Sequence, residues 1–464
     1  PPEKEDPYMF VKKIVSDGLA HNSYFIGSGS AAAIIDPRRD VEVYFSEARE
    51  RNMQITHVFE THKNEDYVIG SLEIADRTGA KILHGAALDF AYGTPVHDGD
   101  TFRIGTLELG VLETPGHTLE SISVTLKETA VSDDVLMVFT GDALFAGDAG
   151  RTDFYGKDRQ KEMATYLYES ITEKILPLGD GVIVCPAHGA GSVCAAGIAD
   201  LEQTTIGYEK GNNILLQMSR EEFIDYKGSE EHYYPPYFRR MEEWNKEGAP
   251  LLHTVPDLAC MSPGEVEEAV KLGAQVVDIR APSSFAGGHI PGSINIPRTL
   301  LSAYAGYLAD YDTPIILIDD FNHNLESGVK YFIRMGYDNI HGCLAPGFSA
   351  WFVAGKPLEY VDSWDPAILS GHLGNPSLFI VDVRTLGNRK KMGHIDDAHH
   401  IYLGHLPDRI DEVPRDAQVL VYCDAGFKGS IGASLFKKAG YEKVANLLGG
   451  MRGWTAAGNP VKKE

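Results

Sequence analysis

The stretch ITHVFETHKNEDY, residues 55–67, opens as a β-branched and aromatic run and then turns abruptly polar. Its first half reads as a short buried strand, so His62 and Asp66 stand just where that strand ends. Three later stretches repeat the arrangement. TPGHT (114–118), TGDALF (140–145) and PAHGAGS (186–192) place His117, Asp142 and His188 at the ends of further strands. Strand ends hold side chains rigidly beside a cleft in an α/β scaffold, and three or four His and Asp residues so placed suit a divalent metal.

Outward from that stretch, MFVKKIV (9–15), SYFIG (23–27) and AAAIID (31–36) read as strands, and VEVYFSEARERN (41–52) and YVIGSLEIADRTG (67–79) as helices. Helical signals follow at 202–217 and 219–228. Beyond them a stretch with two prolines and many charges marks a bridge, which puts a first α/β domain at 1–235 and a linker at 236–252. From residue 253 the chain repeats itself at an offset of about 104 residues. VVDIR (276–280) returns as IVDVR (380–384), GGHIPGS (287–293) as MGHIDDA (392–398), and GFSAW (347–351) as MRGW (451–454). Each copy, 253–360 and 361–464, alternates strands with helices and is expected to form a small parallel-sheet α/β domain.

Composition agrees with about three domains of roughly 150 residues. The chain has 464 residues, 43% of them hydrophobic, enough to bury cores. Its 42 Lys and Arg against 66 Asp and Glu leave a net charge of −24, which repels phosphate backbones and anionic headgroups. Nucleic acid and membrane surfaces are excluded as expected partners. No apolar run reaches the roughly 18 residues of a membrane helix, and PPEKEDPYMF at the start has neither a basic nor an apolar leader. The five cysteines, Cys185, Cys194, Cys260, Cys343 and Cys423, are odd in number, scattered and free of any CxxC. Reduced thiols and a cytoplasmic location are expected.

With these motifs in this order, the first 235 residues resemble the metallo-β-lactamase superfamily, which implies a four-layer αβ/βα sandwich. The usual motif T-H-x-H-x-D-H stands here as T-H-K-N-E-D-Y, with Asn64 and Tyr67 in place of two histidines. Asn64 is a neutral, weak ligand, and Tyr67 would have to lose a proton whose free pKa is about 10. A two-metal hydrolase clamps a water between ions about 3.5–4 Å apart, and the second of those sites is expected to be empty. GDAGRTDF (147–154) resembles the persulfide dioxygenase branch. That resemblance implies one Fe(II) per chain on His62, His117 and Asp142, with O2 as co-substrate and with Asp66, Tyr67 and His188 around the ligands or beside the substrate. Two imidazoles and one carboxylate with open positions suit non-haem Fe(II). Arg151 and Asp153 read either as groups beside the substrate or as a salt bridge holding the Asp142 loop. Cys194 reads as a persulfide-bearing thiol if its pKa is lowered, or as an inert buried residue; Cys185 reads as core.

Both repeats resemble the rhodanese family of sulfurtransferase domains. In the second, VYCDAGFKGS (421–430) places Cys423 at a strand end before a helix, so that the loop N–H groups around Gly426 and the positive helix end stabilise a thiolate or persulfide. Cys423 is the expected nucleophile. Lys428 stands where the family often has Arg and is expected to meet an anionic acceptor as a point charge; Gly429 replaces a small hydroxyl residue. In the first copy Asp319 and Asn324 occupy the places of Cys423 and Lys428, so that copy is expected to be inactive. Asp278 with Arg280, and Asp382 with Arg384, read as structural pairs, and Cys260 and Cys343 receive no role. The implied function is iron-dependent oxidation of a small thiol persulfide to sulfite, joined to sulfur transfer through Cys423 to give thiosulfate, in a dimer or tetramer. The rival readings are a zinc hydrolase of thioesters or lactams and a non-enzymatic persulfide carrier. YYPPYF (233–238) offers aromatic rings for a substrate pocket or for core packing.

Overall fold

The strand Ala31–Ile35 buries Ala33 and Ile35 on one face and Ala32 and Ile34 on the other. A strand apolar on both faces belongs inside a layered structure, and here it lies third in a six-stranded sheet. That sheet runs in chain order through Phe10–Ser16, His21–Ser28, Ala31–Ile35, Gln54–Glu60, Lys81–Gly85 and Thr94–Val96. A second six-stranded sheet contains Thr101–Ile104, Leu107–Glu113, Ile122–Glu128, Met137–Gly141, Ile183–Pro186 and Thr204–Thr205, again in chain order. Between the sheets lies an apolar layer that includes Tyr24, Ile26, Phe59, Leu109, Val124 and Phe139. Tyr44, Ala48 and Ile74 of two helices cover the far face of the first sheet, and Leu167, Ile206 and Phe223 of three others cover that of the second. The result is the αβ/βα layering that the sequence resemblance implied.

This computed structural model describes residues 9–192, 194–195 and 197–463; residues 1–8, part of the stretch read for a leader, lie outside it. The chain divides into two compact units, one up to residue 255 together with 333–336, the other formed by the remainder of the chain. Among the described residues, no helix is long and apolar enough to cross a membrane.

Leu107–Glu113, Met137–Gly141 and Ile183–Pro186 run in one direction, since the first two flank a strand antiparallel to both and the last two pair in parallel. Their following residues, His117, Asp142 and His188, therefore emerge at one end of the sheet. The stretch 236–252 departs from the expected linker. It contains a helix, Phe238–Glu247, with Phe238, Met241 and Asn245 buried. Asn245 Nδ2 donates to the carbonyls of Asn64 (2.6 Å) and Tyr67 (2.8 Å), and its Oδ1 accepts from the Ile69 N–H (2.9 Å). The charged composition that suggested a linker belongs to the solvent face of this amphipathic helix.

The second unit holds two five-stranded sheets of identical topology. One runs Ala259–Met261, Ile340–Leu344, Ile315–Ile318, Gln275–Asp278, Ile294–Asn295 in spatial order; the other runs Asp362–Trp364, Val444–Leu447, Gln418–Tyr422, Leu378–Asp382, His399–His400. Every strand pair in both is parallel, as the internal repeat predicted. Arg280 and Arg384 close on Asp278 and Asp382 with pairs of short hydrogen bonds, Nη2 to Oδ2 at 2.6 Å in each. These are the anchoring pairs expected from their presence in both copies.

Asn245→Ala leaves three backbone groups of the 61–69 loop without partners. A loss of about 1–3 kcal/mol in urea unfolding of the full chain is expected, whereas a flexible linker residue would cost nothing measurable.

Candidate metal centre and sulfur-transfer loop

The chain leaves Gln54–Glu60 through Thr61, which ties the motif loop to a neighbouring strand end. Its N–H and hydroxyl donate to the two oxygens of the buried Asp36 carboxylate, at 2.8 and 2.7 Å. Because the Thr61 proton is committed to Asp36, the 2.9 Å contact with His62 Nδ1 has the imidazole as donor. His62 is therefore protonated on Nδ1 and presents a lone pair on Nε2. The same logic sets His117, whose Nδ1 lies 3.0 Å from the Arg151 carbonyl oxygen, an acceptor only.

Both Nε2 atoms are buried, lack a hydrogen-bond partner and face the same carboxylate. His117 Nε2 lies 3.5 Å and His62 Nε2 3.8 Å from Asp142 Oδ2. The three donor atoms converge within 4.8 Å. His188 does not join them; its Nδ1 donates to Asp142 at 2.8 and 3.0 Å and fixes the orientation of that carboxylate. Burial pushes the Asp142 carboxyl up, but the neighbouring imidazoles, His188 foremost through its charge and its hydrogen bond, hold the group well below the usual carboxylate range. Two lone-pair imidazoles and an ionised carboxylate, oriented by further hydrogen bonds, fit a divalent cation. Burial of the Glu65, Asp66 and Asp142 carboxylates in one pocket adds to the case, since clustered buried charge requires compensation.

Glu65 was missed in the sequence, where nothing distinguishes it from an ordinary polar loop residue. Its Oε1 lies 3.2 Å from His117 Nε2 and accepts from the Cys194 thiol at 3.6 Å. Asp36 and Thr61 were missed as well; only the strand-end position of both gave any signal. Asp66 stands with its Oδ2 3.1 Å from His188 Nε2, and it gathers with His188 and Cys194 in a second cluster beside the first.

Tyr67 is buried against the His21 ring, centroids 4.0 Å apart. Burial and the carboxylates of Asp36 and Asp66 push its phenol well above its usual value, so it stays neutral. Asn64 turns its amide nitrogen onto the His62 carbonyl at 3.2 Å. The lowered pKa on which a reactive Cys194 depended is not found: burial raises the thiol well above its usual value against the pull of His188, and the carboxylates of Asp142, Asp66 and Glu65 add to the rise. Arg151 and Asp153 form the bidentate salt bridge, both contacts 2.7 Å, and this clamp holds the Arg151 carbonyl on His117. From His117 a chain of aromatic edges runs through Phe154 to Tyr234, centroids 5.0 and 6.3 Å apart, and Tyr234 is 40% exposed. The aromatics of 233–238 thus reach from the site to solvent.

In the second unit Cys423 follows the strand Gln418–Tyr422 and is buried. The Gly426 N–H donates to its Sγ at 3.1 Å. Gly426 has φ +95 at the start of the helix Phe427–Lys438, a conformation glycine adopts without strain. A backbone donor and a helix N-terminus thus stand beside this one sulfur. Lys428 is not free to meet an acceptor as expected, since its Nζ lies 2.5 Å from Asp424 Oδ2. In the first copy Asp319 occupies the matching position, its Oδ2 accepting from the Asn324 N–H at 3.2 Å.

That first copy nonetheless supports the Cys423 loop of the second. The Ser430 hydroxyl donates to Asn295 Oδ1 at 2.7 Å, and the Asn295 N–H donates to Ser434 Oγ at 3.0 Å. Asn295 is itself held by the carbonyls of Asp278 and Arg280. Tyr304, also from the first copy, is buried within electrostatic reach of Cys423 and Asp424. None of these cross-copy contacts had a sequence signal.

Comparison with known proteins places these features in context. The metallo-beta-lactamase superfamily model matches residues 16–188, and the rhodanese-like domain model matches residues 262–354 and 365–457. The mitochondrial persulfide dioxygenase ETHE1 of Mus musculus is 31% identical over 214 residues, covering 44% of this chain and 74% of that protein. The hydroxyacylglutathione hydrolase GloC of Haemophilus influenzae is 28% identical over 207 residues, covering 40% of this chain and 87% of that protein. A crystal structure of a metallo-beta-lactamase from Staphylococcus aureus matches with a TM-score of 0.65 at 32% identity, over 73% of this chain and 99% of that one.

Thr61→Val removes the hydroxyl that fixes the His62 tautomer. Metal affinity, measured by competition with a colorimetric chelator, is expected to fall roughly 10–100-fold with the circular dichroism unchanged. Equal affinity in the variant would show that Thr61 does not set the imidazole.

Proposed function

Because the chain belongs to the metallo-β-lactamase superfamily and carries two rhodanese domains behind that fold, we propose that it is an iron-dependent persulfide dioxygenase joined to a sulfurtransferase. In the first reaction one thiol persulfide, one O2 and one water give one thiol, one sulfite and two protons. In the second, Cys423 takes the sulfane sulfur of another persulfide and passes it to sulfite, giving thiosulfate. The observation that carries the reading is the donor set: the Nε2 atoms of His62 and His117 converge on Asp142, the composition of a mononuclear non-haem iron site. The kinship with a persulfide dioxygenase supports the substrate class.

Iron, when bound, supplies the activation of O2 toward the terminal sulfur. The chain's own groups do the rest. The Asp36–Thr61 pair and the Arg151 carbonyl hold the two imidazoles in the metal-binding tautomer. His188 steadies Asp142, and the burial of all these groups excludes bulk water. We assign the substrate's approach to the edge of Phe154 and Tyr234. At the second site the Gly426 N–H holds the sulfur of Cys423 as thiolate and then as persulfide. Tethering keeps the labile sulfur species at high effective concentration between the two reactions. The five free cysteines support a reducing compartment, and we propose the cytoplasm.

A two-zinc hydrolase reading is opposed by the neutral Tyr67 phenol and by Asn64, whose amide nitrogen is turned to its own loop. Metal analysis of anaerobically purified protein is expected to find one iron per chain; two zincs per chain would overturn the reading. With glutathione persulfide, an oxygen electrode should register O2 consumption that His117→Ala abolishes. Cys423→Ser should spare O2 consumption and lower thiosulfate formation by roughly a thousandfold or more, as loss of a nucleophile does. Loss of both activities in Cys423→Ser would favour the carrier alternative.

A further inference from the structure

The inactive rhodanese copy holds two cysteines that the reactions above leave unused. Cys260 lies on the short edge strand Ala259–Met261, and Cys343 on its neighbour Ile340–Leu344. The two strands pair in parallel with Cys260 and Cys343 in direct register. Registered residues on neighbouring strands point to the same face. Their Cα atoms stand about 4.7–4.9 Å apart by strand spacing alone, within the span a disulfide bridges. The two thiols are close enough to influence each other electrostatically.

The strands are held together tightly at this point. A Cβ placed on Gly342, the residue before Cys343, would come within 2.6 Å of the Ala259 carbonyl oxygen. The edge strand thus approaches as closely as it does only because residue 342 has no side chain. The two thiols differ in access: Cys260 is exposed and Cys343 is buried. Burial and the neighbouring Cys260 push the Cys343 thiol up to about 11, so Cys343 waits as a thiol while Cys260 meets solvent.

We propose that Cys260 and Cys343 form a sulfur-accepting dithiol, which takes the sulfane sulfur of a small-molecule persulfide at Cys260 and closes to a disulfide with release of hydrogen sulfide. In the first step the Cys260 sulfur attacks the outer sulfur of the persulfide. The S–S bond of the substrate breaks, and the departing thiol takes the Cys260 proton. In the second step Cys343 attacks the inner sulfur of the Cys260 persulfide. The outer sulfur leaves as hydrosulfide and takes the Cys343 proton. The persulfide is the oxidant of both thiols, so no other electron acceptor enters, and one persulfide yields one thiol, one hydrogen sulfide and one disulfide. Register supplies the proximity that lets a buried, protonated thiol act as the resolving group. The site does not depend on the metal centre, so it stands or falls separately from the dioxygenase reading.

The test uses the full chain, reduced and freed of reductant without oxygen, then mixed with glutathione persulfide, alkylated, digested and analysed by mass spectrometry. A Cys260 persulfide should appear first, followed by a product joining the Cys260 and Cys343 peptides with the loss of two hydrogens and with matching release of hydrogen sulfide. Cys343→Ser should stop at the Cys260 persulfide, and Cys260→Ser should leave Cys343 unmodified. The His117→Ala chain should form the cross-link as the parent does. The proposal is overturned if Cys423 loads sulfur in the same sample while Cys260 and Cys343 are both recovered as free thiols. It is also overturned if Cys343 loads sulfur without Cys260.

Discussion

Two buried imidazole nitrogens, held against the Asp142 and Glu65 carboxylates in a pocket closed to solvent, are the constraint on which the first unit depends. Such an arrangement is costly unless a cation completes it. The surrounding structure serves to maintain it. Asp36 commits the Thr61 proton, Thr61 thereby orients His62, and the Arg151–Asp153 clamp presents a carbonyl to His117. Asn245 ties down the carbonyls of the motif loop from a helix far along the chain. The Asp36–Thr61, Arg151–His117 and Asn245 contacts join residues distant in sequence, and the sandwich of two sheets brings them to one end.

The second unit presents a different arrangement, a buried sulfur at a strand end. The Gly426 N–H and the helix behind it face Cys423 directly. The side chain best suited to add positive charge, Lys428, is instead paired with Asp424. The first repeat, with Asp319 where the second has Cys423, has a structural part in this arrangement. Through Asn295 it grips Ser430 and Ser434 on the helix that carries the loop, so its fold supports that of the second.

Legibility in the sequence followed the range of the interactions. The strand AAAIID, the motif THKNEDY and the loop VYCDAGFKGS are local patterns, and their elements stand where periodicity and turn chemistry placed them. The repeat disclosed two domains of one topology before any sheet was seen. The helix Phe238–Glu247 was misread as a linker because its solvent face carries the charge and only Phe238, Met241 and Asn245 reveal the buried side. Glu65 was overlooked for a similar reason: a carboxylate in a polar loop looks ordinary until burial makes it exceptional. The pairing of Cys260 with Cys343 was equally hidden, since strand register is a property of the sheet and not of either segment.

The amino-acid sequence by itself determined the two kinds of domain, the identity of His62, His117 and Asp142 as a group, and the presence of Cys423 in one repeat's loop where the other has Asp319. These follow from residue types and short spacings, which local physics reads directly. Only the tertiary structure decided which nitrogen of each histidine faces the metal position, that His188 supports Asp142 and does not join the ligands, that Cys194 is a raised and buried thiol, and that the first repeat braces the helix behind Cys423. Those outcomes depend on hydrogen-bond partners and on desolvation, and both are set by residues that only folding brings together.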